Sequence, residues 1–193
     1  MAKPKSEDRR NAILTAAAQV FAERGLGAPT SAISTAAGVA EGSLFTYFKT
    51  KDDLVNALYR EIKLDLADAM MSGFPRRTSV RHRLRHVWKQ YVDWGVSNPA
   101  QEKALKQIQV WNGLTEESKI AGSAPFVEIQ KMAEDARPEL PQAFVGAVLG
   151  ALAETVMEFI RQDPERAEIY RTAGFEMLWA GINRKSRSFP ESK

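Results

Sequence analysis

The segment from residue 41 to residue 47 carries polar side chains at a spacing that can meet the edges of nucleic-acid bases. Its polar or amphipathic members are Glu41, Ser43, Thr46 and Tyr47. The Glu41 carboxylate can accept a hydrogen bond from cytosine N4, and the Thr46 methyl group can pack on a thymine methyl group. Gly42 has no side chain, so the backbone can approach a ligand closely there. This pattern predicts recognition of bases in DNA.

The elements that must position these side chains form a helix-turn-helix pattern, PTSAISTAAGVAEGSLFTYFKTK, from Pro29 to Lys51. We predict a helix that begins at Pro29, a sharp turn at Gly38 and a second helix from about residue 41 to residue 47. In such proteins the second helix is offered to the DNA major groove. We expect the apolar residues of this region in the core; they are Leu44, Phe45 and Phe48.

Three flanking residues are expected to contact the DNA backbone. Lys51 lies where a further helix begins, and a cation beside N-terminal amide groups can bind phosphate. Thr50 and Asp53 have the spacing of a capping box that starts this helix. Thr30 and Ser31, at the start of the first short helix, are expected to contact phosphate in the same way.

The composition argues against several classes of chemistry. The chain has 193 residues, a formal net charge of +3 and no cysteine. It therefore has no disulfide, thiolate zinc site or thiol nucleophile, and a cytoplasmic location is expected. We find no glycine-rich phosphate loop and no metal-ligand spacing. We predict that the protein is not an enzyme and has no catalytic residue, metal or cofactor.

Helical periodicity dominates the chain, and we predict an all-α fold. Five or so helices are expected after residue 67, and no signal peptide is expected at the charged N-terminus. The longest apolar run, from Ala143 to Ala153, is shorter than the ~20 residues that span a bilayer. No membrane partner is therefore expected.

A resemblance to a known family rests on FAERG followed by AISTAAGVAEGSLFTYFKTKDDL. Over residues 7–66 the chain resembles the tetracycline-repressor-like (TetR/AcrR) transcriptional regulators. The resemblance implies a helix-turn-helix DNA-binding domain over residues 7–66 and a helical effector-binding and dimerisation domain over residues 67–193. It also implies that Thr46 and Tyr47 contact DNA and that Lys51 contacts phosphate. Tyr47 has an alternative place in the core, with its hydroxyl group at the surface.

Two positions depart from the family pattern. Ala40 lies where the family often has Ser or Thr to cap the recognition helix, and loss of such a cap costs about 1 kcal/mol. Pro29 and Thr30 replace the commoner threonine-plus-apolar start of the first short helix. We expect neither change to prevent DNA binding, although both can alter operator preference.

Aromatic and polar residues after residue 80 suggest a cavity for a small-molecule effector. The candidate lining residues are His86, Trp88, Tyr91, Trp94, Gln107, Trp111 and Phe126. The alternative is an ordinary core, since helical spacing alone produces such stripes. The basic stretch from Arg76 to Lys89 has two readings, a solvated helix face or a contact with the DNA backbone or an anionic effector.

The last two helices carry more apolar surface than one chain needs, and we expect them to form a four-helix homodimer interface. The candidate interface residues are Phe144, Ala147, Gly150, Ala151, Ala173 and Met177. A two-fold dimer would present two recognition helices to a palindromic operator in double-stranded DNA.

These features favour a transcriptional repressor that binds a palindromic operator as a homodimer and is released by a small molecule. The alternative is a DNA-binding dimer without a small-molecule ligand, controlled by a protein partner or acting architecturally.

Overall fold

The computed structural model describes residues 5–136 and 139–182, and every regular element in these ranges is helical. The α-helices, in chain order, are α1 (Lys5–Arg24), α2 (Thr30–Ala36), α3 (Glu41–Tyr47), α4 (Lys51–Met71), α5 (Val80–Ser97), α6 (Pro99–Gln109), α7 (Glu116–Ser123), α8 (Val127–Ala136), α9 (Gln142–Gln162) and α10 (Ala167–Ile182). Short 3₁₀ turns, Ala124–Phe126 and Pro164–Arg166, precede α8 and α10. The all-α prediction is confirmed.

The described residues form two compact units. The first contains residues 5–67 and 97–125, and the second contains residues 68–96, 126–136 and 139–182. The predicted boundary after residue 66 lies next to the first change of unit. Residues 97–125, however, belong to the first unit, whereas the sequence placed them in the C-terminal domain. The reason is physical: α6 packs against α1, and polar residues after α6 bond to α4.

The first four helices enclose one apolar core. Ile13, Phe21, Ile33 and Leu44 are fully buried. Two seven-residue helices, α2 and α3, are too short to be stable alone, so this packing holds them in place. Phe45 was expected in the same core, and that expectation was wrong: its side chain is 41% exposed on α3.

Local signals set the ends of these helices. Gly38 has φ +66°, a left-handed conformation that glycine adopts without strain, so the predicted turn is confirmed. Thr50 and Asp53 form the predicted capping box, in which each backbone N–H donates to the other side chain at 3.0 Å. Helix α2 begins at Thr30, one residue later than predicted, because Pro29 keeps an extended ψ of 151° as its N-cap.

A buried asparagine joins α4 to the loop after α6. Asn56 is 6% exposed, and its amide nitrogen donates to the carbonyl oxygens of Asp52 and Gly113, both at 3.0 Å. Its amide oxygen accepts from the backbone N–H of Thr115 at 3.0 Å. Both donors and the acceptor of this side chain are therefore used inside the first unit.

Helix α7 is fixed to α4 just beyond this asparagine. Thr115 caps α7 by accepting from the backbone N–H of Ser118, and Arg60 donates to the buried Ser118 hydroxyl at 2.6 Å. Gly122 lies under Tyr59, and a Cβ atom there would come within 2.5 Å of the tyrosine ring. The segment 97–125 thus packs as part of the first unit.

The second unit has an aromatic core. Trp88 is 1% exposed, and its indole nitrogen donates to the backbone oxygen of Arg171 at 2.9 Å. Gly174 makes room for this ring, since a Cβ atom there would lie 2.6 Å from Trp88 and from Val156. Trp88 is therefore a core residue with its polar group satisfied.

Helix α9 is unusually apolar for its exposure. Among the described helices it alone is long and apolar enough, by length and composition, to cross a membrane, with a hydropathy of 1.7. Only 22% of its most apolar window is buried inside the protein. The sequence prediction counted only the uninterrupted apolar run and so underestimated the apolar length of this helix. The apolar pattern continues past Glu154 to Ile160. Helices at protein interfaces share this composition.

We expect Asn56→Ala to lower the free energy of unfolding by about 2–3 kcal/mol. The substitution leaves buried backbone groups of the loop after α6 without partners, and each such group costs about 1–3 kcal/mol. Urea unfolding followed by circular dichroism measures the change. The matched control is Asn112→Ala in the same loop, where the asparagine is exposed and a change within about 0.5 kcal/mol is expected. Equal losses in both variants would contradict the role of the Asn56 contacts.

Candidate nucleic-acid interface

Helix α3 presents a continuous exposed surface. Its exposed residues are Glu41, Gly42, Ser43, Phe45 and Thr46, whereas Tyr47 is half-buried. A Cβ atom at Gly42 would meet no other atom within 4 Å, so this position leaves the backbone open to an approaching molecule. Leu44, fully buried, fixes the opposite face of the helix to the core.

The hydroxyl and methyl groups of Thr46 have different surroundings. The Thr46 hydroxyl donates to the carbonyl oxygen of Gly42 at 3.3 Å within α3. The methyl group makes no polar contact. It can pack against the methyl group of a thymine.

Phe45 is the member of this surface that sequence reasoning missed. Apolarity alone assigned it to the core, but α3 turns it to the exposed side beside Thr46. The helical period contained the missing signal, because residues 44 and 48 share one face and residue 45 lies about 100° away from residue 44. An exposed aromatic ring here can pack on base or sugar groups.

Thr30 has a hydrogen-bond partner within the chain, and its predicted phosphate contact stays a prediction. Its hydroxyl donates to a Glu41 carboxylate oxygen at 2.9 Å, and so joins the start of α2 to the start of α3. The predicted phosphate contact needs this hydroxyl for a different partner. Ser31, the other predicted phosphate contact on α2, is exposed.

Lys51 begins α4 with its stem half-buried. Its ammonium group lies 6.0 Å from the centre of the Phe21 ring, within range of a cation–π interaction. The Thr50–Asp53 capping box does not use the backbone N–H groups of Lys51 and Asp52. A cation and free amide groups at one helix start are the combination that binds phosphate.

The seven residues predicted to line an effector cavity do not belong to one unit. His86, Trp88, Tyr91, Trp94 and Phe126 are in the second unit, whereas Gln107 and Trp111 are in the first. Trp94 and Phe126, like Trp88, are buried. The sequence grouped these residues by composition, and the single cavity predicted from them stays a prediction.

Two buried side-chain nitrogen atoms on α5 have no hydrogen-bond partner among the described residues. They are Nε of Arg83 and Nε2 of His86, which lie three residues apart on α5. The His86 ring meets Phe74 edge to face, with centres 5.8 Å apart. Buried polar atoms are almost always paired, so these two mark an unsatisfied position.

The basic stretch Arg76–Lys89 forms ion pairs inside the second unit. Arg81 and Arg85 both bond Glu176, at 2.6 Å and 2.5 Å, and their guanidinium groups lie over the aromatic rings of Trp179 and Phe175. Arg76 bonds Glu128 at 3.2 Å and Lys89 bonds Asp93 at 2.6 Å. The Arg81 and Arg85 pairs join α5 to α10, whereas the Lys89–Asp93 pair lies within α5. These intrachain pairs favour the structural interpretation of the stretch over a DNA contact.

The predicted interface residues of α9 and α10 are accessible. Phe144 and Met177 are 55% and 66% exposed, and an apolar groove between the two helices includes both. Ala147, Ala151 and Ala173 are also exposed, and Gly150 is half-buried. Within residues 5–136 and 139–182 no group of three or more potential metal ligands occurs.

The family-model comparison matches the N-terminal part of the chain. The sequence model described as "Bacterial regulatory proteins, tetR family" matches residues 13–58, which include α2 and α3. The transcriptional repressor KstR2 of Rhodococcus jostii is 40% identical over 91 residues, covering 42% of this chain and 45% of that protein. The chain spans less than half the length of the curated relatives it matches.

Solved structures match over almost the whole fold. A TetR family regulator from Marinobacter aquaeolei VT8 aligns with a TM-score of 0.81 at 18% identity, covering 91% of this chain and 96% of that one. FadR from Bacillus subtilis, solved in complex with stearoyl-CoA, aligns with a TM-score of 0.66 at 16% identity, covering 89% and 98%. At these identities the structures establish the fold alone. Residues 13–58 thus match the tetR family of bacterial regulatory proteins, and the described residues have the fold of TetR family regulators.

Proposed function

We propose that this protein is a cytoplasmic, ligand-responsive transcriptional repressor that binds a palindromic operator as a homodimer. The observation that carries the proposal is the exposed surface of α3, which offers a carboxylate, two hydroxyl-bearing side chains and an aromatic ring on one short helix. This combination suits the donors, acceptors and methyl groups of the major groove.

The proposed contacts divide into base reading and backbone positioning. Base reading falls to the α3 residues Glu41, Gly42, Ser43, Phe45, Thr46 and Tyr47. Lys51 with the first amide groups of α4, and Ser31 on α2, bind phosphate and fix the register of the protein on DNA. Ser31 precedes the Gly38 turn, whereas α3 and Lys51 follow it, and all of these residues lie in the first unit.

We expect selection from a random DNA pool to yield a palindrome with the wild-type protein, and a weakened or altered motif with Thr46→Ala and Tyr47→Ala. Each variant removes a side chain that reaches a base edge, and one lost base contact typically costs about 1–3 kcal/mol. Sequencing of the bound pool gives the preference at each position. The control is Val110→Ala, at an 82% exposed position outside the helix-turn-helix. Salt-sensitive binding without any enriched motif would contradict sequence-specific regulation.

The homodimer is supported by the unpartnered apolar face of α9 and α10. Large apolar side chains such as Phe144, Val148 and Met177 are about half exposed or more. A Cβ atom at Gly146 or Gly150 would meet nothing within 4 Å, so packing within one chain does not require these glycines. Small residues beside exposed apolar ones favour close approach of a second helix.

A two-fold interface also accounts for reading a palindrome. Each chain would present one α3, and two recognition helices bound to successive major grooves are about 34–36 Å apart. Dimerisation thus doubles the base contacts of a helix that has only seven residues.

We expect Ala147→Glu to convert the dimer to a monomer and to weaken operator binding by at least tenfold. A buried, unpaired carboxylate at the interface is costly, and each isolated chain reads only one half-site. Light scattering during gel filtration gives the mass, and fluorescence anisotropy gives the affinity. Val110→Glu, at an 82% exposed position of the first unit, serves as the control and should remain dimeric. A dimeric Ala147→Glu protein would argue against this interface.

The proposed effector carries an oxygen atom that accepts hydrogen bonds. Arg83 Nε and His86 Nε2 are buried without a partner among the described residues, and a carboxylate, thioester or phosphate oxygen would satisfy them. FadR from Bacillus subtilis was solved with stearoyl-CoA, which contains such groups. Long-chain acyl-CoA is therefore the effector class that we propose to test first.

We expect stearoyl-CoA to release the selected operator, and His86→Leu to raise the concentration needed for half release by about tenfold or more, the size of one charge-assisted hydrogen bond. Fluorescence anisotropy of labelled operator measures release. His82→Leu, at the exposed histidine of the same helix, should respond like the wild type. Operator binding that stays unchanged by acyl-CoA and by free carboxylic acids would favour the second function, a DNA-binding dimer controlled by a protein partner.

A further inference from the structure

The hydrogen bond between Thr30 and Glu41 connects the two helices of the helix-turn-helix. The Thr30 hydroxyl donates to Oε1 of Glu41 at 2.9 Å, across eleven positions of sequence. Thr30 is half-buried and Glu41 is exposed, so the bond fixes a side chain that otherwise extends into solvent. Among the described residues, Thr30 is the hydrogen-bond partner of this carboxylate, and no cation lies within ion-pair distance of it.

A fixed carboxylate on this surface has an unusual effect on DNA binding. Phosphate groups repel a carboxylate, so Glu41 lowers the affinity for DNA in general. An ionised carboxylate only accepts hydrogen bonds, so it requires a donor on the base edge that it meets. The donors in the major groove are cytosine N4 and adenine N6.

The chemistry of the two donor bases favours cytosine. Adenine presents the N7 acceptor beside its N6 donor, and N7 repels the second oxygen of a carboxylate. Guanine N7 and O6 and thymine O4 are acceptors and repel it as well. Cytosine offers its N4 donor beside a C–H group. With Oε1 of Glu41 held by Thr30, the other oxygen, Oε2, remains for a single donor.

We propose that Glu41, oriented by Thr30, selects a cytosine in each half-site of the operator. The inference rests on the proposed function and names the determinant of its specificity. Glu41 is the specificity-determining residue, because it meets the base. Thr30 is a positioning residue, because it acts through Glu41, and it replaces the phosphate contact that the sequence suggested for it.

Thr30 increases discrimination by holding its partner in place. A free glutamate has several rotamers, and it can turn away from an unsuitable base and bond water instead. The 2.9 Å hydrogen bond from Thr30 on α2 restricts this rotation of the Glu41 side chain. A base without a donor therefore meets a carboxylate that stays in position. The bond thereby holds a flexible acidic side chain in a position where it disfavours bases that present a hydrogen-bond acceptor.

The test is selection from a random DNA pool, followed by affinity measurements on the selected operator and on its single-base variants. The proteins are the full-length wild type, Glu41→Gln, Thr30→Val and Lys51→Gln. Thr30→Val keeps the shape of the side chain and removes its hydroxyl group. Lys51→Gln is the control for a backbone contact: it should weaken binding to all operators and reduce the salt dependence, with the base preferences unchanged.

We expect a cytosine at one position of each wild-type half-site, preferred by about tenfold over other bases. Glu41→Gln should lose this preference and shift it toward adenine, because glutamine can pair with adenine N6 and N7. Thr30→Val should keep cytosine as the preferred base but with a smaller preference. Combining Thr30→Val with Glu41→Gln should add nothing to Glu41→Gln at that position, since Thr30 acts through the carboxylate.

Several outcomes overturn the inference. An operator motif that Glu41→Gln leaves unchanged at every position excludes Glu41 as a base reader, even if affinity rises for all sequences. A full cytosine preference in Thr30→Val removes the positioning role of Thr30. Circular dichroism spectra establish that both variants are folded, which is expected at positions on the surface of two short helices. A wild-type protein that selects no motif overturns the proposed function itself, and this inference with it.

Discussion

The structure depends on burial of a small set of apolar side chains that hold two helices too short to form alone. Seven residues give a helix fewer hydrogen bonds than its nucleation cost requires, so α2 and α3 persist only against α1 and α4. Ile33 on α2, Leu44 on α3 and Phe21 on α1 are fully buried and meet this requirement. The exposed surface of α3 therefore rests on this buried core.

The same constraint explains why polar bonds matter at the margins of this unit. A short helix has few turns with which to orient its side chains. Hydrogen bonds between elements orient such side chains, as the bond between Thr30 and Glu41 does on the exposed surface of the two short helices. On α4, the buried Asn56 does the same for the loop at Gly113. Because all donors and acceptors of Asn56 are used, this side chain joins α4 firmly to the segment that begins α7.

In the second unit, ion pairs and exposed apolar area occupy separate surfaces. Arg81 and Arg85 converge on Glu176, and their guanidinium groups cover the aromatic rings of α10. This arrangement pairs part of the positive charge of a stretch that looks like a nucleic-acid patch in sequence. The exposed side of α9 is apolar over most of its length, which is costly for an isolated chain and suits contact with a second copy.

The sequence by itself determined which segments are helical and where several of these helices begin or end. The glycine at 38, the Thr50–Asp53 spacing and the bounds of α3 are local signals, since a turn or a cap involves residues within a few positions of each other. Tertiary structure decided the rest. Asn56 meets Gly113 across 57 positions, Phe45 is exposed although it is apolar, and Trp111 lies in a different unit from Trp88. Local patterns specify which groups a helix carries, whereas three-dimensional packing determines which of them meet and which face solvent.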